Sequence, residues 1–302
     1  MSQLTRKVIS WFDSHALQVD ECIEEKVDWV RAFPFILMHI TPLLIFYCGS
    51  SWTALVVCII SYLVRMFAIT AFYHRYFSHK TFKTSRVVHA LFAFLGSSTT
   101  QRGPLWWASH HRRHHRRSDT ERDIHSPVTR TFLFSHMGWF LTKKHFPTEM
   151  KHVRDWSKYP ELVFINRFDA FSPVLFALFL YGMGEIFYYF FPGLGANGFQ
   201  FLVWGFFVST VLLYHATFTI NSLAHRWGKR TFETDDDSRN NRFLAILTLG
   251  EGWHNNHHHY PNTVKQGFYK GEWDPTYWAL KLMSKLGLVS DMKEKVPTKP
   301  TT

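Results

Sequence analysis

Three short stretches carry histidines at spacings that suit metal ligation: "HRYFSH" with His74 and His79, "HRRHH" with His111, His114 and His115, and "HNNHH" with His254, His257 and His258. In the second and third the spacing is i, i+3, i+4, which places three imidazoles on one face of a helix. The first pair stands at i and i+5, which shares no face on a regular helix. We therefore expect a helix to end between His74 and His79 and the chain to turn back. A fourth element, "NSLAH", sets Asn221 and His225 four residues apart. One ion takes about four to six ligands, so nine histidines are too many for one ion and suit two. Imidazole serves iron, zinc, copper and nickel, whereas structural zinc takes fewer ligands and normally some cysteine. Here the three cysteines, Cys22, Cys48 and Cys58, form no C-x-x-C pair and read as packing residues. An all-nitrogen ligand set on two redox-active ions fits dioxygen chemistry at iron.

The remaining histidines read differently. His15, His39, His89, His145 and His152 stand alone, as satisfied polar residues do. His110 and His259 flank clusters but fall off the i, i+3, i+4 face. His125 and His136 read as residues that orient ligands. His215 lies inside a long apolar run, where an axial haem role would need a partner that the sequence does not place.

The elements that must position these groups are long apolar runs. A membrane core takes about 20 apolar residues per helix. From Ala32 to Val64 there is no Asp, Glu, Lys or Arg, and the run is broken at Gly49-Ser50-Ser51. A second pair of runs extends from Phe171 to Asn221 with its turn at "FPGLGANG". We expect an all-α membrane protein of four transmembrane helices in two hairpins, near 32–49, 52–73, 171–191 and 199–221. A helical cap from 74–167 and 222–302 would cover them, the whole forming one domain over 1–302. Lys and Arg crowd the segment between the hairpins, so the positive-inside rule places the cap and both termini in the cytoplasm. Arg65 and Glu185 fall within spans and should snorkel, pair or face the protein. All histidine clusters then lie at the cytoplasmic ends of spans or in the cap, where they can meet. The N-terminus shows no continuous apolar stretch of the kind a cleaved signal peptide carries.

The net charge of +11 and an aromatic share of 18% fit a protein partly in lipid with an anionic ligand or surface to meet. Nucleic acid is not expected as a partner, given the apolar runs. A histidine-rich transporter or sensor would set ligands within the spans, along a path. No H-E-x-x-H supports a zinc protease.

At the histidine clusters the chain resembles the integral-membrane fatty acyl desaturases, most closely the acyl-CoA Δ9 (stearoyl-CoA type) branch in a bacterial-like form. The resemblance rests on His74-Arg75…Ser78-His79, His111-Arg112-Arg113-His114-His115, His254-Asn255-Asn256-His257-His258 and Asn221-Ser222…His225. "WWASHHRRHHRRSDTERDIHSP", "FSHMGW" and "GEGWHNNHHHYP" extend it, and it covers roughly residues 30–280. It implies that the nine histidines bind two iron ions and that Asn221 contributes through a water. It also implies a substrate tunnel kinked by Trp107 and Thr217, with Gln101 at the same bend, and CoA phosphates held by Lys143 and Lys144. The chain departs from animal relatives at Arg102-Gly103-Pro104 and Ser109-His110, where they carry Asn-Asp and Arg-Asp pairs.

The implied reaction is demanding. An unactivated methylene has no acidic proton and no leaving group, so removing its hydrogen requires an oxidising metal centre rather than acid–base side chains. The expected substrates are a long-chain acyl-CoA and O2, and the expected product is a cis alkene, Δ9 by resemblance. A same-superfamily hydroxylase is the nearest rival. Electrons must come from outside, from a ferredoxin, rubredoxin or b-type cytochrome with its reductase, because no C-x-x-C-H and no GxGxxG motif is found. No bound flavin or haem is expected. Membrane lipid surrounds the spans, and a bacterial inner membrane is the expected location.

Overall fold

The computed structural model describes residues 5, 8–9, 11–14 and 25–298. His15 and Cys22 lie outside the described residues. Among the described residues, four helices are long and apolar enough to cross a membrane: Trp29–Cys48, Trp52–Ser78, Phe171–Phe190 and Gly198–His225. They are the four expected, but the second and fourth run on past their expected ends and include His74 and His225. Side-chain caps start the second and fourth. Ser51 accepts from the Ala54 backbone N–H at 3.1 Å, and Asn197 accepts from that of Gln200 at 2.9 Å. Gly49, at φ 65°, makes the tight turn of the first hairpin.

The spans differ in how they pack. The first and third present most of their surface outward, while the second and fourth are about half buried and pack on each other. Gly205 permits this approach, since a Cβ there would stand 2.9 Å from the Val57 side chain. Arg65 faces the protein interior, fully buried. It donates to the Ser61 and Ser98 carbonyls, each at 3.2 Å, and to Thr210 Oγ1 at 2.7 Å. The Glu185 carboxylate accepts from the Gly198 N–H at 3.1 Å. Trp29, Tyr47, Trp52 and Tyr189 are exposed at the span ends, where amphipathic rings suit the lipid–water boundary.

The cap is less helical than its sequence suggested. Helices Arg86–Ser97, Pro104–Arg117 and Pro160–Arg167 follow the first hairpin, and Arg242–Leu247, His254–His259 and Pro275–Lys285 follow the second. Irregular connections at 118–131, 226–241 and 260–274 separate them. Aspartates organise these connections by taking backbone N–H groups that a helix would use. Asp123 accepts from the N–H of Asp119 at 2.9 Å, and Asp119 from that of Asp237 at 2.8 Å. A two-residue ribbon pairs Lys83–Thr84 with Val289–Ser290 and ties the end of the chain to the cap.

Candidate metal centre

The second span does not end between His74 and His79, contrary to expectation. From Ala68 to Ser78 it widens into a π-helix, and the His79 N–H bonds the His74 carbonyl at 3.2 Å. A repeat of five residues per hydrogen bond brings i and i+5 onto one face, so the same spacing works without a turn. Arg112, inside the second cluster, closes the helix end by donating to the Phe77 and Ser78 carbonyls at 2.6 and 2.9 Å. Its guanidinium also grips Asp155 with two bonds of 2.9 and 3.1 Å.

The fold gathers all nine cluster histidines into two sets. His74, His79, His111, His115 and His257 each offer a ring nitrogen within 4.8 Å of the others, and His114, His225, His254 and His258 do the same. Each i, i+3, i+4 triplet is thus shared between sets. His111 and His115 go to the first set and His114 to the second, whereas His257 goes to the first and His254 and His258 to the second. Nε2 faces Nε2 at 3.0 Å for His74 and His257, 2.9 Å for His257 and His115, 2.8 Å for His79 and His111, and 3.0 Å for His225 and His254. Imidazole nitrogens pointed at one another offer lone pairs to something cationic between them. The arrangement can hold a di-metal site.

Carboxylates that sequence reading did not single out stand behind the rings. Nδ1 of His114 bonds Asp123 at 3.0 Å, that of His225 bonds Asp119 at 2.7 Å, and that of His258 bonds Asp236 at 2.5 Å. Glu251 pairs with Nδ1 of His74, and Gln266 reaches the Nδ1 atoms of His74 and His257 at 3.3 and 3.5 Å. Such bonds fix the tautomer that leaves Nε2 free for a metal. Asn255 and Asn256, between the ring-bearing positions of the third cluster, lock its helix in place. Asn255 Oδ1 accepts from the N–H groups of Thr231 and Phe232 at 2.7 and 2.8 Å. The sequence signal for Asp119, Asp123 and Asp236 was acidic residues in "RRSDTERD" and "ETDDD", an ordinary surface pattern by itself, while Glu251 stands within "GEGWHNNHHHYP".

Protonation states agree with this geometry. Burial, reinforced by neighbouring imidazoles, holds His79, His111, His115, His254 and His257 well below the ordinary histidine range. Burial also lowers His258, to about 4, against the opposing pull of Asp236. His114 is the exception: burial lowers it, but the adjoining Asp123 carboxylate prevails and raises it. Neutral imidazole is the form that binds metal.

A cavity of about 670 Å³ reaches His111 of the first set. His111, Trp107, Gln101, Thr217 and Asn221 all line it. Trp107 stacks on His111, with ring centroids 4.9 Å apart, and Gln101 Nε2 donates to Thr217 Oγ1 at 3.2 Å. The segment before Trp107 is strained: Thr100 and Arg102 adopt φ of 59° and 70°, costly for a β-branched residue.

The other candidates fall at varied distances from the rings. His125 lies 4.4 Å from His114 by ring centroids and lines the cavity. His136 bonds Ser222, the neighbour of Asn221, at 2.9 Å and His215 at 3.0 Å. Lys144 lines a separate basic pocket and sits 3.5 Å from Glu25. Lys143 begins the short helix Lys143–His145 beside it. His110 is buried against Trp106, and His259 stacks on Phe232 at 4.2 Å. His39 bonds the Phe35 carbonyl, while His89, His145 and His152 meet Glu161, Glu25 and Glu149.

Four spans, a cap and two all-histidine sets, one of them reached by an apolar cavity, define a membrane protein whose histidine clusters could hold a di-metal site. Residues 50–266 match the family model for fatty acid desaturase. The chain is 34% identical to an acyl-CoA C20 Delta5-desaturase of Anemone leveillei, covering 89% of this chain and 86% of that one. It is 33% identical to an sn-2 palmitoyl-lipid 9-desaturase of a Nostoc species, over 89% and 91% of the two chains. It is 32% identical to an sn-1 stearoyl-lipid 9-desaturase of Anabaena variabilis, over 89% and 94%. The chain belongs to the fatty acid desaturase family.

Proposed function

We propose that this protein is an O2-dependent di-iron desaturase that places a cis double bond, at Δ9, in a saturated long-chain fatty acyl group. The observation that carries the reading is that His111 of the first set and Asn221, four residues before His225 of the second, form part of the cavity wall, so a chain lying there passes beside the histidine centre. His74, His79, His111, His115 and His257 would hold one iron. His114, His225, His254 and His258 would hold the other, with Asn221 contributing through a water. When bound, the irons would supply the oxidising power that removes one hydrogen from each of two adjacent methylenes, and with two electrons and two protons from outside O2 leaves as two waters.

The protein's own groups do the rest. Trp107 and the Gln101–Thr217 bond form the bend that would fix which carbons face the metals and hold them in a cis-compatible shape. Apolar walls keep water from the reacting carbons. Electrons arrive from outside, and the basic surface around Arg113, Arg116, Arg117 and Lys151 suits an acidic ferredoxin, rubredoxin or small b-type cytochrome, served by its reductase. The basic segment between the hairpins supports a cytoplasmic cap and termini, in a bacterial inner membrane. The resemblance favours CoA as acyl carrier, while the relatives named above include both CoA and lipid substrates.

His257 lies at the centre of the first set, within 3.0 Å of both His74 and His115. His257→Ala is expected to abolish desaturation and to lower bound iron, measured by product analysis and elemental analysis of the purified protein. Full activity in that variant would overturn its assignment as a ligand. Product mass separates desaturation, which removes two hydrogens, from hydroxylation, which adds an oxygen.

A further inference from the structure

Two concavities open toward the cap side, and they share no lining residue. One is the cavity beside the histidines. The other, of about 480 Å³, is basic and is lined by Arg113, Arg116, Arg117, Arg130, Lys144 and Lys151 among others. An aromatic wall stands between them. Trp106 and Trp139 stack with centroids 5.5 Å apart, His110 lies 4.5 Å from Trp106, and Trp106 Nε1 donates to the His145 carbonyl at 2.9 Å. Trp106, Trp139 and His110 face the cavity, and His145 faces the basic pocket.

The cavity has its own polar collar, built from Asp28, Arg31, Arg102 and Asp169. Both guanidiniums stack over the Phe146 ring, at 3.6 and 3.7 Å. Arg31 lies 3.8 Å from Asp28, and Arg102 lies 3.1 Å from Asp169. Two cations thus stand against two anions, and the collar offers no surplus charge to a polyanionic nucleotide carrier. Asp28 and Asp169 precede the first and third spans, at headgroup depth. Below the collar, Val174, Leu178 and Tyr181 of the third span line the cavity and are 50%, 61% and 43% exposed. Ala32, Phe35 and Met38 of the first span line the other side, and that span packs against Trp139–Leu141. Trp11 crosses the collar, lining the cavity and donating from Nε1 to the Val30 carbonyl at 2.8 Å, and Ser14 N–H meets the Arg167 carbonyl at 2.9 Å. Below this crossing the cavity wall is made by the first and third spans alone on that side.

The geometry points to lateral loading: the acyl chain enters between the first and third spans while its glycerol and headgroup stay at the charge-balanced collar. The substrate class is then an acyl chain esterified in a membrane glycerolipid whose headgroup carries no net charge, in preference to a CoA thioester. This inference rests on the desaturase reading above and names its carrier.

Photolabelling of the purified full-length chain tests it without requiring turnover. One probe is phosphatidylethanolamine whose stearoyl chain carries a mid-chain diazirine, in vesicles; the others are the same acyl chain as its CoA thioester and as free acid. The lipid probe is expected to label cavity residues such as Trp107 and Thr217, and excess stearoyl-CoA is expected not to displace it. Labelling by the CoA probe with none by the lipid overturns lateral lipid loading and leaves the acyl-chain reading standing. Labelling by the free acid alone does the same. No cavity labelling by any probe overturns both. A Val174→Trp, Leu178→Trp pair, at exposed positions, is expected to abolish lipid labelling with thermal unfolding unchanged, and undiminished labelling in that folded variant would remove the portal.

Discussion

Asp236 illustrates how the centre depends on groups one bond removed from it. Its carboxylate accepts from His258 Nδ1 at 2.5 Å and from the Ser238 N–H at 3.1 Å, so a loop residue sets the direction of a helix-borne ring. Asp119 has the same role for His225 and takes the Asp237 N–H as well. It does so from a left-handed conformation, φ 55°, which aspartate tolerates better than most residues. Removing such a partner in metal sites typically lowers metal affinity by about 10–100-fold. Asp236→Asn is expected to weaken iron binding on that scale in a competitive chelator titration, with the other set retaining its affinity. An unchanged titration would show that the carboxylate does not position His258.

Between elements, one buried cation ties the second span to the third histidine cluster. Arg75 is 1% exposed and meets Glu251 at 3.0 Å, Asp274 at 2.9 Å and the Val264 carbonyl at 2.7 Å. Glu251 also holds His74, so the network links cap stability to ligand orientation. Arg75→Met leaves two buried carboxylates without their cation and is expected to cost about 3–5 kcal/mol, measured by chemical unfolding in detergent. Gly252, just before the same cluster, is a second junction. A Cβ there would fall 2.1 Å from the Ala245 backbone nitrogen and 2.5 Å from the Leu244 carbonyl carbon. Backbone cannot yield as a flexible side chain does. Gly252→Ala is therefore expected to push Arg242–Leu247 away from His254–His259 and to lower both metal content and melting temperature. Wild-type values for both would contradict that packing.

At the scale of the whole molecule, gathering so many neutral imidazoles makes the metal-free protein sensitive to acid. His79, His111, His115, His254 and His257 are all held well below the ordinary value of 6.5 by burial and by one another. Below that value the unfolded chain takes up protons that the folded chain refuses, so stability must fall as pH drops. Metal-free protein is expected to lose melting temperature progressively from pH 6.5 downward, and iron-loaded protein is expected to release its metal over the same descent. A flat profile between pH 7 and 5 in the metal-free form would mean that these rings are not buried together.

Much of this was legible from local rules. The spacings within "HRRHH" and "HNNHH" fix helix faces because the helical period is a property of a few consecutive residues. The lengths of the apolar runs fix spans because a bilayer has one thickness. The six histidines of those two clusters could be named on those grounds, and so could the four spans, whereas His74, His79 and His225 were singled out by their place at span ends and by resemblance. Tertiary structure alone decided which set each imidazole joins, since helices from distant parts of the chain meet edge to edge and split every triplet. It decided that His74 and His79 share a face, because a π-helix depends on how the second span packs and caps. It also selected Asp119, Asp123, Asp236 and Glu251 from the chain's many acidic residues, and it closed an aromatic wall between the cavity and the basic pocket. A carboxylate looks alike in any short window of sequence; what distinguishes these four is which imidazole nitrogen stands opposite, and only the folded chain brings the two together.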